Sequence, residues 1–67
     1  MNAIRIHKTS DGYMVSDQGT WVRGVYDSEE TARLAGKLSP DAVHAMWESV
    51  LYSGRDTATI ADVQGAY

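Results

Sequence analysis

Gly12-Tyr13-Met14-Val15-Ser16-Asp17-Gln18-Gly19-Thr20-Trp21-Val22-Arg23-Gly24-Val25-Tyr26-Asp27-Ser28-Glu29-Glu30-Thr31-Ala32-Arg33-Leu34-Ala35 reads as strand, tight turn, strand and capped helix without a break. Tyr13 and Val15 fall on one face of an extended segment, Met14 and Ser16 on the other. Asp17-Gln18-Gly19 makes the turn, with Gly19 at the position that needs a left-handed backbone. A third strand then runs over about residues 20–26. Asp27 followed by Glu30 has capping-box spacing, and Ser28 is a second N-cap candidate. Glu29 and Glu30 suit the positive end of the helix dipole.

Upstream, Ile4 and Ile6 alternate with Arg5 and His7, the period-two pattern of a half-buried first strand. Thr9-Ser10-Asp11-Gly12 predicts a hairpin connection, because Asp-Gly accepts the backbone angles such turns need. Downstream, Ala32, Ala35 and Gly36 give the first helix a small face. A small face lets a helix approach a sheet closely, and the missing side chain of Gly24 predicts a crossing there. A bulge at Gly24 is the alternative.

Ser39-Pro40 pairs an N-cap with the residue best suited to a first helical position. Val43, Met46, Trp47, Val50 and Leu51 then form one apolar stripe, and Asp41, His44, Glu48 and Tyr52 lie towards the other side. Ser53-Gly54 ends the helix. In the tail, Thr59-Ile60-Ala61-Asp62 predicts a short capped helix to about Gln64, with a brief strand over residues 57–60 as the alternative. The expectation is one α+β domain over residues 1–67: a three-stranded antiparallel sheet packed by two helices (β-β-β-α-α), with a short C-terminal helix.

A chain of 67 residues without cysteine buries only roughly 60% of its unfolded surface and has no disulfide to help. With two histidines and no Cys/His cluster, no structural zinc or other cofactor is expected. No apolar run is long enough to span a membrane, and the first eight residues do not form a signal peptide. A cytoplasmic protein is the expectation. The formal net charge is −3. Residues 1–38 balance to zero, so the whole excess lies in residues 39–67, on Asp41, Glu48, Asp56 and Asp62 against Arg55. Proteins that grip a phosphate backbone carry the opposite excess.

Enzymatic readings find little footing. There is no cysteine nucleophile, and the serines sit at turns, caps and helix surface outside any nucleophile motif. His44 and Glu48 at i, i+4, with Asp41 one turn earlier, have the spacing of a metal or acid/base pair, but the same spacing suits a solvated face with local charge pairing. Gly19 and Gly24 lack the Lys-Ser/Thr that a phosphate loop needs. No catalytic residue is assigned.

Two surfaces are candidates for a partner. If Ile4, Ile6, Tyr13, Val15, Val22 and Tyr26 face inward, then Arg5, His7, Met14, Trp21 and Arg23 face outward. Tryptophan and arginine are enriched at interface hot spots. Alternatively, Trp21 lies across the sheet with Arg23 stacked on it and only stabilises the hairpin. The second surface is acidic: Asp41, His44, Glu48, Asp56 and Asp62.

Residues 21–32, Trp21-Val22-Arg23-Gly24-Val25-Tyr26-Asp27-Ser28-Glu29-Glu30-Thr31-Ala32, resemble the strand-to-helix junction of two DNA-binding families: the arm-binding domains of phage tyrosine recombinases and the ethylene-response-factor domains of plants. Both run from an aromatic-bearing strand through Gly-x-Phe/Tyr-x-Thr/Ser-x-Glu-Glu-Ala into a helix. The resemblance covers about residues 12–35. It implies a three-stranded sheet that reads the DNA major groove, here with Arg5, Arg23, Lys8 and Trp21. The chain departs from it in having few basic strand residues and in carrying Asp11, Asp17 and Asp27.

The leading expectation is therefore a small non-enzymatic protein-interaction module. A chain of this kind resembles the accessory proteins of phages and mobile elements that block a host or defence complex, and its acidic face could occupy a site built for nucleic acid. The alternatives are a sequence-specific DNA-binding module using the sheet face, and a structural homodimer formed through the second helix.

Overall fold

Strands β1 (Ile4–Thr9), β2 (Gly12–Asp17) and β3 (Thr20–Tyr26) lie in sequence order in one antiparallel sheet, seen in a computed structural model that describes residues 3–67. Met1 and Asn2, which open the alternating N-terminal stretch, lie outside the described residues. Helices α1 (Glu29–Ala35), α2 (Pro40–Tyr52) and α3 (Ile60–Gly65) follow. The α+β class and the order of elements are those read from the sequence.

Two short connections set the register. Ser10 and Asp11 form the first loop, so Gly12 is not in the turn but begins β2 opposite Thr9. Gln18 and Gly19 form the second, with φ of 53° and 82°. Positive φ at both central positions is the hairpin turn whose twist matches the strands it joins. Ile6, Val15 and Val22 are thereby placed side by side. Val15 and Tyr26 are fully buried, with Ile4, Ile6, Tyr13 and Val22 packed around them. This is the inner face expected from the alternation.

The ladder breaks once. Tyr13 pairs with Tyr26 and Val15 with Val22, so Arg23, Gly24 and Val25 stand opposite Met14 alone. Gly24, at φ 104°, sits in this bulge with Trp47 of α2 packed directly on its α-carbon. Both readings of Gly24 thus describe part of it, but the helix that crosses there is α2 rather than α1. The small face of α1 is used elsewhere: Ala32 and Ala35 are fully buried, and Gly36 lies against Ile4 and Val15.

Three further details decide between alternatives or correct the sequence reading. The N-cap of α1 is Ser28, whose Oγ accepts from the Thr31 amide at 3.2 Å. Asp27 does not cap because its amide still belongs to the sheet side, donating to Ala58 O at 3.0 Å. Leu51 is 47% exposed, since the buried stripe of α2 is Val43, Met46, Trp47 and Val50 and stops short of it. In the tail, strand and helix coexist. Ala58 bridges to Tyr26 in parallel, and Thr59 then caps α3 in a full capping box with Asp62.

The core closes around a buried polar relay. The Trp47 indole N–H donates to Tyr26 Oη at 3.0 Å, and that hydroxyl donates to Arg23 O at 2.6 Å. The two rings meet edge to face at 5.8 Å. Two buried polar groups and the bulge carbonyl thereby satisfy one another.

Asp62 holds the tail. Its carboxylate takes two hydrogen bonds from Arg55, at 2.7 and 2.9 Å, and one from the Thr59 amide at 2.8 Å. The Arg55 bonds hold its carboxyl well below the usual aspartate range; burial opposes them, and the Thr59 bonds and the Arg55 charge add to the lowering. The carboxylate is thus favoured in the folded state. Its contribution is complete above the ordinary aspartate pKa of about 3.9 and is lost as pH falls below it. Asp62→Asn is expected to melt at a lower temperature than wild type at pH 7, with the gap narrowing progressively as pH falls from about 4 towards 2. Thermal melts followed by circular dichroism across that range check this, and a gap that does not narrow would contradict it. Thr59→Ala removes the cap hydroxyl and should cost about 1 kcal/mol, a drop of roughly 4–8 °C in Tm.

Candidate functional site

The helices all pack on the Ile6–Val15–Val22 side of the sheet, α1 across the three strands and α2 over β3. The opposite face is left without a layer. Arg5, His7, Met14, Ser16 and Trp21 occupy it by strand alternation, in register as Arg5–Ser16–Trp21 and His7–Met14. The Trp21 ring lies 4.6 Å from that of His7, tilted by 56°. His7 Nε2 and Ser16 Oγ are hydrogen-bonded at 3.1 Å, and Ser16 is only 6% exposed. His7 and Trp21 therefore close over a small buried hydroxyl from opposite edges of the sheet. Trp21 touches His7 yet remains 56% exposed.

Arg23 does not join them. Residue 23 lies in the bulge, and its guanidinium turns to α2, where Nη1 meets His44 Nδ1 at 3.0 Å. His44 Nε2 lies 3.1 Å from Glu48 Oε1. A guanidinium only donates, so Nδ1 must present its lone pair and Nε2 must carry the hydrogen. Glu48, His44 and Arg23 thus form a chain that orients the arginine fork from behind. The His44–Glu48 spacing is legible in the sequence; its extension to Arg23 is not, because the two residues are brought together only by the packing of α2 on β3.

Between β3 and the start of α2 lies a cleft of about 460 Å³. Val22, Leu38, Pro40 and Val43 wall it, Arg23 and His44 stand at one side, and Asp17, Thr20 and Trp21 complete it towards the hairpin.

The acidic residues are dispersed. Asp41, His44 and Glu48 share the exposed side of α2. Asp62 is committed to Arg55 and Thr59. Asp56 lines a separate hollow with Asp11, Val25 and Thr57. Among the described residues no group of three or more His, Cys, Asp or Glu is placed to hold a metal. No helix among them is long and apolar enough to cross a membrane. Of the groups sequence reasoning did not single out, Ser16 matters most. Its burial comes from His7 and Trp21 meeting above it, a cross-strand arrangement without local signature.

No protein-family model, no curated protein and no solved structure matches this chain.

Proposed function

We propose that this chain is a non-enzymatic protein-interaction module that presents the uncovered sheet face, centred on Trp21. The observation that carries this reading is a large aromatic side chain, more than half exposed, in ring contact with His7 on the face of the sheet that no helix covers. Tryptophan and arginine are enriched at binding hot spots, and Arg5 shares this face with Trp21, across Ser16. Met14 beside it adds an adaptable apolar contact. Blocking a host or defence complex is the role this proposal extends to, and it rests on the resemblance to phage accessory proteins alone.

A protein partner fits better than a duplex. With Arg23 turned to His44, Arg5 is the arginine that shares this face with Trp21, two strands away, and the chain as a whole is acidic. A homodimer through α2 also fits poorly, because its apolar stripe is buried within a single copy.

The test is capture of partners from the lysate of the source cells by wild type, Trp21→Ala and Asp41→Lys/Glu48→Lys. Trp21→Ala should leave the melting temperature nearly unchanged and weaken capture by at least roughly 30-fold, the size of a hot-spot loss of 2 kcal/mol. The double charge reversal should capture normally. Unchanged capture by Trp21→Ala would remove the sheet face as the contact surface. Salt-sensitive binding to duplex DNA that depends on Arg5 and Trp21 would favour the nucleic-acid reading instead.

A further inference from the structure

The cleft between β3 and α2 borders on Trp21 but has its own chemistry. Its walls, Val22, Leu38, Pro40 and Val43, are apolar, and its volume of about 460 Å³ is that of a small-ligand site. The Arg23 fork stands at its side. Among the described residues no carboxylate lies within ion-pair distance of Arg23; its recorded partner is the lone pair of a neutral imidazole. A guanidinium presents five N–H donors in a planar fork that matches a carboxylate with two parallel bonds. One of these donors is used on His44, and that bond, backed by Glu48, fixes the plane of the fork.

We infer that this cleft binds a single carboxylate attached to an apolar group, with the carboxylate on Arg23 and the apolar group between Val22 and Val43. The same surroundings argue against a more highly charged ligand. Asp17 closes one end of the cleft and Glu48 lies behind His44, so a second negative charge would meet repulsion rather than another cation. The site would therefore select monocarboxylates over phosphate dianions. Trp21 borders this cleft as well, but the inference rests on Arg23 and the apolar walls, and Arg23→Gln tests it without altering Trp21.

The probe is N-acetyl-phenylalanine, with N-acetyl-phenylalaninamide as its neutral control and phenyl phosphate as its dianionic one. Each is titrated into the ¹⁵N-labelled protein and followed by amide chemical shifts. The acid is expected to shift Val22, Arg23, Val43 and His44 saturably, with a Kd on the order of millimolar for so small a ligand. The amide should bind at least about 10-fold more weakly, because it forfeits the charge-assisted pair. Arg23→Gln should erase that difference, and Arg23→Lys, which keeps the charge but loses the fork, should retain only part of it. Both substitutions are at an exposed residue, and dispersion of the amide spectrum confirms that each variant is folded. Equal binding of acid and amide, tighter binding of phenyl phosphate, or shifts confined to residues outside the cleft would overturn the proposal.

Discussion

Gly24→Ala is expected not to fold stably, although it adds one methyl group. A β-carbon at position 24 would lie inside the Trp47 indole, on Cε2, Cζ2 and Nε1. Trp47 cannot yield, because its N–H is held by Tyr26 and it is only 3% exposed. The backbone adds a second penalty, since φ is 104°. Overpacking of a core costs about 1–3 kcal/mol or more, and an unfavourable backbone conformation about 1–3 kcal/mol. A domain of this length has a total of only roughly 3–10 kcal/mol to lose. Gly19→Ala separates the two effects. Its φ of 82° carries a similar backbone penalty, but nothing lies within 4 Å of the added carbon. Gly19→Ala should lose about 1–2 kcal/mol and remain folded. Gly24→Ala should lose its amide dispersion and cooperative melt, and Trp47→Leu in the same chain should restore part of the stability by non-additive coupling. Equal losses at the two glycines would show that Trp47 does not set the spacing of α2 from β3.

Tyr26→Phe is the second large effect. It keeps the ring and deletes one oxygen, yet that oxygen serves two groups. Without it the buried Trp47 N–H has no acceptor and Arg23 O loses its donor. Each buried polar group left unsatisfied costs about 1–3 kcal/mol. A loss of roughly 2–4 kcal/mol is expected, read as a lower urea midpoint with an unchanged slope. The Trp47 indole proton should also move upfield as its hydrogen bond disappears. A loss below about 0.5 kcal/mol would mean that water replaces the hydroxyl at both partners. The same phenol makes the fold sensitive to alkali. Burial pushes the Tyr26 pKa up, opposed by the Trp47 hydrogen bond and the Arg23 charge. Its contribution is complete below the ordinary tyrosine pKa of about 10 and drains away as pH rises through the higher folded value. Tyr26→Phe should lack this dependence, a contrast seen in melts between about pH 9 and pH 11.

Residues 12–35 show how far local chemistry reaches. Alternation placed Tyr13, Val15, Val22 and Tyr26 on one face because successive side chains of a strand point to opposite sides. Gly19 marked its turn because few residues accept a positive φ. Ser39-Pro40 and Thr59 marked helix starts because orphan amides need a nearby acceptor or none at all. Each of these depends on residues a few positions apart.

Trp21 and Arg23 show where that reach ends. Alternation put them side by side on the outer face, and for Trp21 the strand holds. Arg23 sits in the bulge opposite Met14, and an insertion in a ladder changes the direction of every side chain within it. Nothing beside residue 23 announces the bulge; it exists because Trp47, 21 positions away from Tyr26 in the chain, packs on Gly24 and anchors its indole on the Tyr26 hydroxyl. The four acidic residues of the second half likewise looked like one surface as a charge count and separated once Asp62 paired with Arg55. The sequence by itself determined the elements, their order, their caps and the inner face of the sheet, because these follow from short-range backbone geometry and periodicity. Tertiary structure alone decided which helix lies over Gly24, that Arg23 leaves Trp21 for His44, and that a cleft opens between β3 and the start of α2. Those outcomes depend on contacts between segments whose meeting is decided by packing the whole core at once.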